Sequence, residues 1–244
     1  RAGSTAGKES QILDLAGGEE EVKQLFVTAP DGAVRLSGEH DNVAGYAISS
    51  DGSQVIYNTR AEKLENSLWL VNLREGERTK LMDCVHALCS RPVFSPDGNE
   101  IVYEYLNYPD GRNILVSPRW MNLRTGENKP LFKTMNFPGS APRWSPDGAW
   151  LSYSAAGGLR MYNTQTGENR LVRSLYSYGA EWSPGGAAIL YLDAVIKDDG
   201  QVVAQALVYS LASGAARNIS PDTDHEILFA AWSPDGNWIA LIRR

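Results

Sequence analysis

The sequence is poor in the groups that announce most chemistries. Its 244 residues include two cysteines and three histidines, and the cysteine pair lacks the further ligands at metal spacing that a structural zinc site needs. No apolar run approaches the roughly 20 residues of a membrane-crossing helix. The longest, around Ala187–Leu192, is strand-sized. No block of Lys or Arg stands out, and 29 acidic residues outnumber 23 basic ones for a net charge of −6. A phosphate-backbone footprint is therefore missing, and nucleic acid is not an expected partner. No Gly-x-Ser-x-Gly elbow occurs, which excludes a hydrolase of that kind. Ser37-Gly-Glu-His40-Asp41 crowds three catalytic residue types into one loop without an oriented base or an oxyanion hole. The segment Gly3–Glu9 is one residue short of a P-loop and carries Glu where Ser or Thr would meet magnesium.

The chain opens Arg1-Ala-Gly-Ser-Thr-Ala-Gly-Lys8, with neither Met nor an apolar signal core. Residues 1–10 read as a linker or cut end of a longer or processed protein, and residues 11–244 as a single domain. Cys84 and Cys89 lie five positions apart, a spacing that suits a small-loop disulfide in an oxidising compartment and free thiols elsewhere.

What the sequence does have is a repeat. Ile48-Ser-Ser-Asp-Gly52, Phe94-Ser-Pro-Asp-Gly98, Trp144-Ser-Pro-Asp-Gly148, Trp182-Ser-Pro-Gly-Gly186 and Trp232-Ser-Pro-Asp-Gly236 follow one another with their serines 46, 50, 38 and 50 residues apart. Such a period of roughly 40 to 50 residues is that of propeller blades. Pro presets φ at the first corner of a tight turn, Asp bonds the backbone ahead, and Gly accepts positive φ. The sixth and eighth positions after each Ser are apolar or Tyr (Val55/Tyr57, Ile101/Tyr103, Leu151/Tyr153, Ile189/Tyr191, Ile239/Leu241), the alternation of a half-buried strand. Each motif therefore predicts a hairpin of strands A and B.

A second hairpin, of strands C and D, follows. Trp69–Glu77, Trp120–Glu127, Met161–Glu168 and Val208–Gly214 align about a Gly-containing turn. Four antiparallel strands per repeat make a propeller blade, so the expected fold is an all-β propeller. Leu25–Leu36 resembles a C/D hairpin without its A/B pair, and Asn237–Ile242 a B strand without its C/D pair. Joining them would close a fifth blade from both termini and remove two sheet edges; the alternative is part of a six- to eight-bladed propeller. Gln11–Gly17 is strand-like and has no place in the five-blade scheme.

The Trp-Ser-Pro-Asp-Gly turns and Asn-Leu-Arg-Thr-Gly-Glu hairpins together resemble the PD40, or TolB-like, propeller repeat family. The resemblance covers nearly all of the chain beyond about residue 20, with Ser50 in place of Pro and Gly185 in place of Asp. It implies a protein of the bacterial envelope, periplasmic or extracellular, with a cytoplasmic location as the alternative. It also implies one of several roles: binding envelope proteins, sensing within a receptor or regulator, gating a peptidase, or, as in oligogalacturonate lyases, catalysis at a His-rich metal site. Fold alone does not choose among these.

The tight A–B and C–D turns leave little room for a site, so function is expected on the opposite face, where the connections vary in length. His40, His86 and His225 all fall there and would be the ligands of a metal-dependent lyase-like enzyme. As loop residues of separate repeats they bind no metal, and no cofactor is expected. Strand aromatics such as Trp144, Trp182 and Trp232 read as core. The loop aromatics Tyr105, Tyr108, Phe137, Tyr176 and Tyr178, with Arg112, have the composition of a protein interface. The expected function is a non-catalytic module that binds a protein partner or small ligand on this face, without inserting into a membrane. A gating propeller whose peptidase domain lies outside the chain is the third reading.

Overall fold

The computed structural model describes residues 12–16, 23–29, 32–60, 64–107, 114–132, 139–175, 178–197, 199–221 and 224–244. Every regular element among them is a strand. The chain divides into two compact units, Arg1–Pro92 and Val93–Arg244. The first holds a three-stranded antiparallel sheet of β1 (Ile12–Ala16), β2 (Gln24–Ala29) and β3 (Gly32–Arg35). It also holds a four-stranded sheet of β4 (Val43–Ile48), β5 (Gln54–Thr59), β6 (Asn66–Asn72) and β7 (Glu77–Cys84). The unit boundary falls inside β8 (Ala87–Phe94), which opens the sheet completed by β9 (Glu100–Asn107), β10 (Leu115–Asn122) and β11 (Asn128–Pro130).

The second unit continues with two more sheets of four. One is β12 (Gly139–Trp144), β13 (Trp150–Ala155), β14 (Gly158–Asn163) and β15 (Asn169–Arg173). The other is β16 (Tyr178–Trp182), β17 (Ala188–Ile196), β18 (Val202–Ser210) and β19 (Ala216–Asn218). It ends on a pair, β20 (Ile227–Trp232) and β21 (Ile239–Arg243). All four complete sheets are meanders in chain order, the blade pattern expected from the repeat.

The closing blade differs from expectation. Leu25–Leu36 does form a hairpin, but the place beside β2 that Asn237–Ile242 was to fill is taken by β1, in register from Ile12↔Thr28 to Ala16↔Gln24. The segment without a place in the five-blade scheme is thus the third strand of the N-terminal sheet. β21 in turn pairs with β20, so two incomplete sheets stand where one four-stranded blade was expected.

One turn organises every repeat. Its Gly has φ between 69 and 72° at Gly52, Gly98, Gly148, Gly186 and Gly236, a region that residues with a β-carbon rarely enter. That Gly donates its N–H to the motif Ser carbonyl at 2.8–2.9 Å. The Ser side chain does more than the sequence showed. Its hydroxyl oxygen accepts the backbone N–H of the fifth residue on, at 2.9–3.1 Å in all five copies. It donates to the Asp carboxylate wherever that Asp is present. These bonds hold the Asp51 and Asp235 carboxyls down at about 2, and Asp97 below the ordinary carboxylate value, with the Ser hydroxyl the largest cause each time. The C–D turns are capped similarly. Asn72, Asn122 and Asn163 accept the two N–H groups ahead of them through Oδ1, the Asx geometry that explains the recurrent Asn.

Successive turns of the second unit also pack on each other. A β-carbon built on Gly148 would lie 3.5 Å from Cδ of Pro96. The matching distances are 3.7 Å from Gly186 to Pro146 and 3.5 Å from Gly236 to Pro184. The repeated Pro and Gly therefore link one sheet to the next as well as reversing the chain.

Behind the turns, four of the five pairs expected to face inward are buried, but so are the residues between them. These strands are therefore covered on both faces instead of half-buried. The fifth pair is not sealed, with Leu241 37% exposed. Val55/Tyr57, Ile101/Tyr103, Leu151/Tyr153 and Ile189/Tyr191 are all at most 1% exposed. The motif aromatic reaches back to the preceding sheet: Trp182 donates Nε1–H to Ser152 Oγ at 3.0 Å. Trp144 and Trp232 hold the same position with their Nε1 buried and unpartnered. The residues matching Ser152 are there Val102 and Leu190, which offer no acceptor.

Ser145 is fully buried and anchors both Trp150 N–H and Asp147. Replacing it with Ala should lower unfolding free energy by about 1–2 kcal/mol in denaturant titration. The depressed carboxyls contribute stability above about pH 4 that is lost as pH falls toward about 2. Ser49→Ala, which raises the Asp51 pKa, should therefore show a smaller loss of stability than the native chain across that window.

Candidate functional site

Two cavities lie within the units, one in each. That of the first, about 590 Å³, is bordered by the Gly38–Asn42 loop and the adjoining ends of β5, β6 and β7, and takes in His40. Its chemistry is dominated by paired charge. Asp41 Oδ2 accepts from Tyr57 Oη at 2.6 Å, Arg78 at 2.6 Å and the Gly38 N–H at 2.9 Å. Burial first, then the Asp41 carboxylate, pushes the Tyr57 hydroxyl well above its ordinary pKa, so it remains a donor. The Trp69 ring stacks on Tyr57 at 6.4 Å and lies 3.9 Å from the Arg78 guanidinium carbon. Asp83 accepts from Ser67 at 2.6 Å and Lys80 at 3.1 Å, and these two hold its carboxyl below the usual range. Anions and cations that satisfy one another leave little uncompensated charge for a ligand.

At the rim of this cavity Cys84 and Cys89 form a disulfide, settling the choice left open by their spacing. Both are buried. Asn66 holds the backbone beside them, accepting Cys89 N–H at 2.9 Å and donating to Cys89 O at 2.8 Å.

The second cavity, a groove of about 820 Å³, runs between the β8–β11 and β12–β15 sheets at the end where their A–B turns lie. Trp120, Phe132, Trp144 and Tyr162 provide its aromatic surface, and Asp97, Glu100 and Asp147 its carboxylates. Its floor is pre-set. Trp120 donates Nε1–H to Glu100 at 2.8 Å, Lys129 Nζ stands 4.2 Å from the Trp120 ring, and Phe132 meets Tyr162 edge-on at 5.2 Å. Lys129 is also tied to Glu127 at 2.8 Å. The turn end was expected to leave little room for a site, yet the larger of these two cavities lies there. Individual turns are small, but two successive ones flank a gap between sheets. Trp144, expected in the core, is half-buried and borders this groove. Its aromatics were hard to find in the sequence because Trp120 and Tyr162 sit on C strands, where such residues read as core.

The residues singled out in the sequence fare unevenly. His40 and His225 are exposed. His86 sits in the two-residue turn between β7 and β8, with its side chain 89% exposed and Nδ1 3.8 Å from Glu65. Among the described residues no group of three or more His, Cys, Asp or Glu is placed to hold a metal ion. Tyr105, on β9, is half-buried under the Arg119 guanidinium, 5.0 Å away. Tyr108, Arg112, Phe137 and Tyr176 lie outside the described residues, as does the side chain of Tyr178, which opens β16.

No protein-family model matches the sequence, and no curated protein matches it. Solved structures do match by fold. An oligogalacturonate lyase in complex with manganese superposes with a TM-score of 0.73 at 15% identity, over 94% of this chain and 66% of that one. TolB from Acinetobacter baumannii gives 0.60 at 17% identity, over 91% and 60%. The β-propeller domain of the Trilobed protease from Pyrococcus furiosus, described as having an open velcro topology, gives 0.61 at 13% identity, over 89% and 70%. The chain spans less than two thirds of the lyase and of TolB. At these identities the likeness establishes the β-propeller fold and nothing of activity.

The disulfide closes a loop of only a few residues, for which chain entropy gives on the order of 2 kcal/mol. The double substitution Cys84→Ala/Cys89→Ala should lower stability by about that amount in denaturant titration. Because both cysteines are buried, mild reductant should leave the disulfide intact in the folded protein, read by thiol titration without denaturant, and should lower the midpoint when present during the denaturant titration.

Proposed function

We propose that this chain is a non-catalytic propeller module that binds a partner, and that the groove between the β8–β11 and β12–β15 sheets is a binding surface. The observation that carries the reading is the groove itself. It is a recessed aromatic surface with a polar rim, held by hydrogen-bonded strands and turns, which is how rigid recognition sites are built. Aromatic side chains bury large area at small entropic cost and dominate binding energetics. The loop face with Tyr105, Tyr108 and Tyr178 is a second candidate surface, supported by its composition. The Cys84–Cys89 disulfide supports an oxidising compartment, such as the bacterial periplasm or cell exterior.

The rival reading, a metal-dependent lyase using His40, His86 and His225, draws on the likeness to the manganese-bound lyase. Against it stand the exposure of His86 and the lack of a metal-binding cluster among the described residues. The two readings separate on one pair of assays. The binding reading expects no cleavage of pectic oligosaccharides with or without manganese, and saturable binding to arrayed peptides that falls at least tenfold in Trp120→Ala. Manganese-dependent cleavage abolished by His40→Ala, His86→Ala and His225→Ala together would refute it. Binding that falls in Tyr108→Ala and survives Trp120→Ala would move the site to the loop face.

A further inference from the structure

The balance of charge around the groove is lopsided, and it says what kind of ligand fits. Asp97, Glu100 and Asp147 bring three carboxylates, while Lys129 is the only basic side chain among the described residues that line it. Lys129 is engaged with Glu127 and the Trp120 ring. Asp97 and Asp147 are fixed by their turns: Asp97 takes bonds from Ser95 and Asn99, and Asp147 from Ser145 and the Ala149 N–H. Their carboxylates therefore stand at the groove with little conformational freedom left to lose on binding.

The aromatic surface points the same way. Three large rings elsewhere in the protein lie under a cation: Arg78 and Lys80 over Trp69, Arg170 over Trp150, and Arg119 over Tyr105. In the groove, Trp120 has Lys129, while among the described residues neither Trp144 nor Tyr162 lies under a cation. A ring flanked by fixed carboxylates is suited to a guanidinium or ammonium group, whose charge meets the carboxylates while its aliphatic stem lies on the ring. The gap between two sheets is elongated by construction, which matches an extended chain better than a compact metabolite.

We infer that the groove binds an extended peptide segment carrying a lysine or arginine, its cationic head between Asp97 and Asp147 and its stem on Trp144 and Tyr162. This deepens the binding reading above and rests on it. The partner is a basic, flexible segment of another protein, such as a tail or linker.

The test uses the full chain and labelled hexapeptides that differ only at a central arginine, lysine, leucine or glutamate, read by fluorescence anisotropy at low salt. Arginine and lysine peptides should bind at least about tenfold tighter than the glutamate peptide, and the preference should collapse in 0.5 M salt. Asp97→Asn/Asp147→Asn, which keeps an oxygen acceptor in each turn, should abolish the preference while the circular dichroism spectrum stays native. Asp83→Asn, in the other unit, should change nothing. Tight binding that is indifferent to the central residue, or that favours glutamate, overturns the basic-peptide assignment and leaves the binding module standing. A neutral oligosaccharide bound at the groove with no peptide binding does the same. If neither peptides nor oligosaccharides bind, both readings fall.

Discussion

The hydrogen bonds of the motif serine hold the structure's repeat together. A single hydroxyl accepts the backbone N–H that starts strand B and, in four of the five copies, donates to the Asp that shapes the turn. The serine is a buried residue in four of the five copies, where an unmade bond would be costly. From this point the rest of each sheet is placed. The turn leads into strand B, which in four repeats is buried on both faces, and strands C and D follow from the second turn, capped by Asn in three repeats.

The same turns connect one sheet to the next in the second unit. Pro of one repeat stands where a β-carbon on the Gly of the following one would be at van der Waals distance, and Trp182 bonds to Ser152 of the strand behind it. The groove thus comes from the spacing that the turns impose, with Trp120, Phe132 and Tyr162 supplied by strands and edges on either side. A rigid frame of this sort can carry a binding surface without evolving a dedicated loop.

Much of this was legible in the residues. Five copies of the turn and four of the second hairpin gave the strand order, and positions such as Val55/Tyr57 and Ile189/Tyr191 proved to be buried. The role of Ser was not visible, because a hydroxyl's partner depends on the turn closing around it. Ile12–Ala16 was recognisable as a strand, but its partner was not: pairing is a long-range choice that local alternation does not encode. The groove was missed for a related reason. Trp120, Trp144 and Tyr162 are far apart in the chain, and an aromatic on a strand has the same local pattern whether it lines a cleft or fills the core. The tyrosines expected in loops stood out by composition, but Tyr105 and Tyr178 belong to strands β9 and β16, and Tyr108 and Tyr176 lie outside the described residues.

The seven tryptophans offer the most direct test of the central claim, that the groove of the second unit is where a partner is held. Each indole N–H gives its own resonance in a 15N-correlated NMR spectrum, and the environments differ: Trp120 is bonded to Glu100, Trp182 to Ser152, and Trp144 has no acceptor. On titration with an arginine-centred hexapeptide, the account predicts shifts of the Trp120 and Trp144 indole signals, with those of Trp69 and Trp182 unmoved. Movement of Trp69 alone, or saturable binding that leaves Trp120 and Trp144 untouched, would contradict it.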